Sequence, residues 1–407
     1  MTVSQSAWTA TLPPECRVDM CTVCVTFVPL KIAYYGRMAN ISHNMGEICY
    51  VIRVFMSRRL PIVVLYGSPF ERGRQHGSLF SSPIRVAVNS LREKVGQAGW
   101  SAAEKVAGAS WTYLQSHQPQ IVAEIEGIAA GAGFSPLEIY CLNGFEFFDE
   151  PAAKGCTSVA VSTSAGAVVG QNWDAPVGTE EQLVLISYCE RGLQCTMVTS
   201  PGTLGWVGFN SCGFAFVTND LMMDRSATGI PSLVARRLII RQRRVGDAIA
   251  VLRSIDHMGG RCYLFGDETG AVGGVEISPK AGVVSLEGPA IVHTNHPLTA
   301  PVLPHENVDV AAAVYPSSQA RLLALNRLRP LLDGKAGVQR ALSDTSGAPD
   351  AICKSFSVSE PTQTAFSFVF DCRSMEAALS VGRPAANAYH DYAAGNPIRR
   401  HADVRSA

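Results

Sequence analysis

A hairpin pattern at residues 154–174, KGCTSVAVSTSAGAVVGQNWD, constrains the fold of this chain more than any other stretch. A strand-like alternation starts at Cys156, directly after Gly155, and reaches a tight turn over residues 162–166. A second short strand follows and ends in Gly170-Gln171-Asn172-Trp173-Asp174. Such a hairpin returns a carboxylate to the head of the strand that carries the thiol. Before residue 155 the sequence reads as helical, and after it as mainly strands.

The first ordered element is a β-branched run over residues 60–66, closed by Gly67-Ser68-Pro69. Ser68 is placed to cap a helix, with Pro69 in the first turn and Glu71 completing a capping box. Helical periodicity continues in pieces to about residue 95, then over 102–115 and 119–131, with Ser135-Pro136 starting a short helix. Strands are predicted at 157–161, 167–170, 183–188, 195–199, 206–209 and 213–218, many joined by short Gly- or Ser-containing turns. Helices follow over 231–243 and 245–255, and strands over 262–266, 272–277 and 290–293. A helix over 317–328 precedes strands at 364–371 and 375–381. This succession predicts an α+β layered domain. The expected organisation is an N-terminal extension (1–58), a mainly helical segment (59–155), a strand-rich segment (156–385) folded with it, and a loose polar tail (386–407).

Charge narrows the partners. The 34 basic residues balance 34 acidic ones, so neither nucleic acid nor an anionic membrane is favoured. The arginine clusters Arg236-Arg237 and 241–244 lie in a helical pattern and read as a solvated helix face. The longest apolar run, 23–30, is too short to span a bilayer and contains Pro29. No secretory signal pattern opens the sequence, and twelve scattered cysteines do not resemble a disulfide framework. A reducing cytoplasmic setting is expected.

Cys21-x-x-Cys24 in the extension suggests half a zinc site or a redox pair, but Cys16, His43 and Cys49 complete it only irregularly. A natural start at Met56, opening onto the first strand, is an alternative account of that extension.

A free cysteine is only slightly ionised near pH 7 and needs a base or a lowered pKa to act as a nucleophile. No histidine lies near Cys156 in sequence. Cleavage of the Gly155–Cys156 bond would supply one, because the new α-amine has a pKa of about 7.7–8.0, suited to general-base work. Glycine before the cysteine leaves the carbonyl unhindered for attack. On the residues alone, a buried structural cysteine stays the commoner alternative.

Context changes the balance. Gly155-Cys156-Thr157 with Gly170-Gln171-Asn172-Trp173-Asp174 resembles the acyl-coenzyme A:isopenicillin N acyltransferase family of N-terminal-nucleophile hydrolases. The resemblance extends to Tyr66-Gly67-Ser68-Pro69-Phe70-Glu71-Arg72-Gly73, to Gly205-Trp206-Val207-Gly208-Phe209-Asn210, to His293-Thr294-Asn295-His296-Pro297-Leu298, and to Ser318 and Arg321. Together with the strand at 364–371, these ordered blocks span about residues 60–385. The resemblance implies a four-layer αββα fold of antiparallel sheets and a precursor that cuts itself between Gly155 and Cys156. Its α and β chains would stay associated. By position, Cys156 is the nucleophile and its amine the base, Asp174 holds the amine or its network, and Asn295 supplies an oxyanion-hole N–H. Ser318 assists self-cleavage, and Arg321 is carried over with it. The implied substrate is a small-molecule amide or acyl thioester. No metal or prosthetic group is implied, and coenzyme A enters only as part of an acyl donor.

Two departures bear on this reading. Ala175-Pro176 follow Asp174 where the penicillin-forming fungal member has an aromatic pair, so penicillin formation is not implied. Lys154 replaces an acidic residue seen before the glycine in some members. His293 and His296 suggest a metal pair, but residues three apart on a strand point to opposite faces. A catalytically silent binding protein with the same fold is the competing functional class.

Overall fold

A computed structural model describes residues 59–149 and 155–393. The expectations for Cys21, Cys24 and Met56, and for Lys154, lie outside the described residues.

The described chain begins with β1 (Ile62–Leu65), followed by α1 (Pro69–Leu79), α2 (Ser81–His117), α3 (Pro119–Ala132) and α4 (Pro136–Leu142). The hairpin β2 (Gly155–Thr163) and β3 (Gly166–Ala175) comes next, then β4 (Val184–Glu190), β5 (Leu193–Thr199), β6 (Val207–Asn210) and β7 (Ala215–Asp220). Helices α5 (Ser232–Ile239) and α6 (Val245–Arg253) lead to β8 (Arg261–Gly266), β9 (Val272–Ser278), β10 (Gly282–Leu286) and β11 (Ala290–His293). Helices α7 (Val308–Val314), α8 (Ser318–Arg327) and α9 (Lys335–Leu342) precede β12 (Gln363–Asp371), β13 (Glu376–Val381) and β14 (His390–Ala393).

The strands form two sheets, ordered β1-β4-β5-β6-β7-β8-β9-β10 and β11-β2-β3-β12-β13-β14. Pairing is antiparallel throughout except between β1 and β4. β2 and β3 face β7 and β8 of the other sheet, and aromatic rings join the layers: Phe209 stacks on Phe368 and Phe370 with centroids 6.1 and 4.9 Å apart. On the outer side of the six-stranded sheet, α8 and α9 cover Val159, Val168 and Val369 with Leu325, Val338 and Leu342. Gly170 permits that approach, since a Cβ there would lie 2.7 Å from Val338 Cγ1. Helix α6 covers β9 and β10 of the larger sheet. The layers therefore run α-β-β-α, as the family resemblance implies.

Local chemistry explains the helix ends. Ser68 and Glu71 exchange both capping-box bonds, as do Ser135 and Glu138. The break expected between residues 95 and 102 is a kink inside α2 at Gly96, whose φ of 68° only glycine adopts freely. Helix α5 ends at Ile239 rather than at residue 243, because Asn210 Nδ2 donates to the carbonyls of Ile240 and Gln242 at 2.9 and 2.7 Å and draws the chain away. Part of the segment expected to be loose is ordered: His390–Ala393 extends the smaller sheet as β14 against β13. Among the described residues, no helix is long and apolar enough to cross a membrane.

The arginine pair in α5 corrects another expectation. Arg236 is 5% and Arg237 2% exposed, so this face is buried rather than solvated. Arg237 donates to both oxygens of Glu124, at 2.7 Å from Oε1, and stacks on the Tyr188 ring. A buried guanidinium needs such a partner, and the pair ties α5 to α3.

Candidate active site

The β2–β3 register sets the geometry. Gly155 lies opposite Asp174, Cys156 opposite Trp173, and Thr157 opposite Asn172. Directly paired residues share a face of the sheet and neighbours alternate. Cys156 and Trp173 therefore turn into the space between the sheets, whereas Gly155, Thr157 and Asp174 turn outward toward α8. Trp173 and Cys156 line one pocket with Gln171, Trp206, Phe145 and Arg236, with an empty volume of about 410 Å³.

On the outer face, Arg321 of α8 is fully buried. Its Nη1 donates to the Cys156 carbonyl at 2.6 Å and to Thr157 Oγ1 at 2.9 Å, while Nη2 donates to Asn295 Oδ1 at 2.9 Å. The same Asn295 oxygen accepts the Cys156 N–H at 2.8 Å. Both backbone polar atoms of Cys156 are thus held by side chains from distant parts of the chain.

Asp174 is completely buried. Its Oδ1 accepts from Thr364 Oγ1 on β12 at 2.8 Å, and its Oδ2 has no hydrogen-bond partner. A methyl added at Gly155 would sit 3.1 Å from that Oδ2 and 3.5 Å from Arg321 Nη2. Burial raises the Asp174 pKa above the ordinary carboxylate range, against the opposing pull of the Arg321 and Lys354 charges. Lys354 is itself buried, ion-paired with Glu360 and bonded to Thr362 Oγ1 at 2.8 Å.

Cys156 is 4% exposed, and burial pushes its thiol up to about 12, with the Asp174 charge adding to the rise. Arg321, Arg236 and a hydrogen bond from Gln171 pull it the other way. This sulfur is therefore a neutral thiol at neutral pH.

Asn295 and Ser318 occupy different layers. Asn295 contacts Cys156 through its Oδ1, and its Nδ2 donates to the Asp220 carbonyl at 3.1 Å. Ser318 Oγ accepts the Asn295 backbone N–H at 2.8 Å and lies 2.7 Å from His296 Nδ1. Ser318 positions Asn295 and does not reach the thiol. The two histidines do not converge: His293 Nε2 pairs with Glu276 at 2.8 Å, whereas His296 faces Ser318. Burial lowers the His296 pKa to about 4, so it is neutral.

Gln171 and Arg236 were not singled out from the sequence as site residues. Gln171 was reachable, since counting back two from Trp173 places it on the pocket face. Arg236 comes from a helix that no local pattern connects to Cys156.

A family model described as acyl-coenzyme A:6-aminopenicillanic acid acyl-transferase matches residues 161–386. The chain is 31% identical over 338 residues to the acyl-coenzyme A:6-aminopenicillanic-acid-acyltransferase 40 kDa form of Emericella nidulans, covering 79% of this chain and 92% of the relative. Among solved structures, a variant of conjugated bile acid hydrolase from Clostridium perfringens aligns with 11% identity and a TM-score of 0.40, over 58% of this chain and 97% of that one. Penicillin V acylase from Agrobacterium tumefaciens aligns with 11% identity and a TM-score of 0.37, over 56% and 82%.

Proposed function

The chain belongs to the acyl-coenzyme A:6-aminopenicillanic acid acyl-transferase family, and we propose that it is a self-processing cysteine acyltransferase or amidohydrolase. The observation that carries this reading is the convergence of Asn295 Oδ1 and Arg321 Nη1 on the N–H and C=O of Cys156, at 2.8 and 2.6 Å. A structural cysteine has no need of a buried cation and a carboxamide on its backbone.

In maturation, the Cys156 sulfur attacks the Gly155 carbonyl carbon. The C–N bond breaks, its nitrogen takes up a proton, and the acyl group passes to sulfur. Water then hydrolyses the thioester, leaving a Gly155 carboxylate, a free thiol and a new amine. That amine replaces the peptide N–H that Asn295 Oδ1 accepts, and its pKa near neutrality lets it remove the thiol proton.

In turnover, the thiolate attacks an amide or thioester carbonyl held in the pocket with Trp173 and Trp206. The tetrahedral oxyanion collapses by expelling an amine or thiol, which leaves an acyl-enzyme on Cys156. The Asn295 Nδ2 group, which donates to the Asp220 carbonyl, is the donor assigned to that oxyanion on this reading. Water or an amine then takes the acyl group. The Emericella relative bears the name of a 6-aminopenicillanic acid acyltransferase. Ala175-Pro176 after Asp174 point this chain to a different acyl group.

Intact mass and N-terminal sequencing of the purified protein test the proposal. Two fragments are expected, the second beginning Cys-Thr-Ser-Val. A single chain indistinguishable from Cys156→Ala would reject maturation at this bond.

A further inference from the structure

We propose that Arg236 is a specificity residue that binds a carboxylate on the substrate, beside the carbonyl that Cys156 attacks. The inference rests on the cysteine-nucleophile reading above. Arg236 lines the same pocket as Cys156 and Gln171 and is 95% buried, the complement of its 5% exposure. Its guanidinium carbon lies 5.7 Å from the centroid of the Trp206 ring. Its Nε has no hydrogen-bond partner, and no carboxylate among the described residues lies within ion-pair distance.

The other arginines nearby have carboxylate partners. Arg237 is held by Glu124, and Arg261 pairs with both Asp220 and Glu146. Tyr263 hydrogen-bonds the Arg236 side chain but brings it no charge, because burial raises its pKa, and its own hydroxyl donates to the Ser232 carbonyl at 3.3 Å. A buried cation with only neutral partners among the described residues is costly, and an arriving anion removes that cost.

The pocket specifies which anion. A single guanidinium presents a planar fork that matches a planar carboxylate. A phosphate dianion would call for further free cations, whereas Asp220 and Glu146 on the adjoining wall would repel a second charge. Phe145 stacks on Trp206 at 5.6 Å and Trp206 on Trp173 at 5.3 Å, so the rest of the lining is aromatic. The substrate class is therefore an amide or thioester with a flat or apolar portion and one carboxylate.

Iodoacetate and iodoacetamide are matched probes, since in each the Cys156 thiolate displaces iodide and only the former carries a carboxylate. Alkylation of Cys156 in the mature protein is read by peptide mass spectrometry, and the iodoacetate-to-iodoacetamide rate ratio is normalised to a small free thiol. The ratio cancels the thiolate fraction, which Arg236 also influences. We expect a normalised ratio of about ten or more in the wild type. It should fall to near one in Arg236→Leu and be partly retained in Arg236→Lys. Arg236→Gln, shorter but polar and uncharged, serves where leucine disturbs α5. An equal ratio in wild type and the neutral variants overturns the carboxylate site. Cleaved wild type whose Cys156 resists both reagents overturns the nucleophile reading beneath it.

Discussion

Asp174 sits directly across the β2–β3 ladder from Gly155, on the opposite face of the sheet from the Cys156 thiol. Its unbonded Oδ2 turns toward the Gly155 position, not toward the sulfur. On the proposed maturation, the carboxylate would address the backbone at the Gly155–Cys156 bond, and then the amine that cleavage creates. The thiol thus lies on the inner face with the pocket, and the side chains that hold Cys156 N–H and C=O come from elements beyond the hairpin.

Gly155→Ala tests the crowding on that outer face. The added methyl would lie 3.1 Å from Asp174 Oδ2, tighter than ordinary contact, and must push the carboxylate or the strand aside. Maturation should slow by about tenfold or more, consistent with a misplacement of a few tenths of an ångström at a reacting centre. Timed gel analysis of freshly made protein reads the rate. Cleavage at the wild-type rate would show that the glycine is not needed for space.

The field of Lys354 should be visible in a pH profile. Burial raises the folded-state pKa of Asp174, so its carboxyl contributes stability that is full below the unfolded value and is lost as pH rises through the folded one. If maturation requires the ionised form, its rate climbs across that same folded pKa. Removing Lys354 takes away a charge that opposes the rise. The paired change Lys354→Met with Glu360→Gln avoids stranding a buried carboxylate; because the Glu360 charge raises the Asp174 pKa more weakly than Lys354 lowers it, the acid limb of the maturation rate should move upward by about half a pH unit. An unmoved limb would mean that Lys354 serves packing alone.

Much of this was legible from sequence because the chemistry is local there. The hairpin, the Ser68 and Ser135 capping boxes and the strand blocks around Cys156 all depend on neighbours within a few residues. Asp174, Asn295, Ser318 and Arg321 came from ordered motifs rather than from periodicity, and the fold brings Asn295 and Arg321 onto Cys156 itself. What stayed hidden depends on contacts distant in sequence. Arg236 and Arg237 look like a solvated stripe until Glu124 and the pocket are placed against them. The short helix α9 and the edge strand β10 carry too few residues for a periodic signal. The α5 terminus was misplaced because Asn210, some thirty positions earlier, takes the carbonyls that would have continued the helix.

Ser318→Ala separates positioning from direct chemistry. The hydroxyl accepts the Asn295 N–H and touches no atom of Cys156. Its loss strands a buried donor, at a cost of about 1–3 kcal/mol in stability. Asn295 should then hold Cys156 less firmly, and maturation should slow by about tenfold. Urea midpoints and cleavage rates measured together decide the matter. Lower stability with unchanged cleavage would leave Ser318 a structural residue only.

The last prediction concerns the thiol before and after the cut. With its pKa pushed to about 12, Cys156 in the uncut chain is thiolate in only about one molecule in ten thousand at pH 8. Asp174→Asn should hold the protein uncut, and although it removes one charge that raises the thiol pKa, burial is the larger cause and persists. Iodoacetamide should therefore modify Cys156 slowly in this variant, with a rate that keeps rising to above pH 10. In the mature wild type, the adjacent amine of pKa about 7.7–8.0 should take the proton, and the rate at pH 8 should be at least about a hundredfold higher, levelling off above about pH 9. Equal reactivity in the two forms would show that the free amine does not activate the thiol.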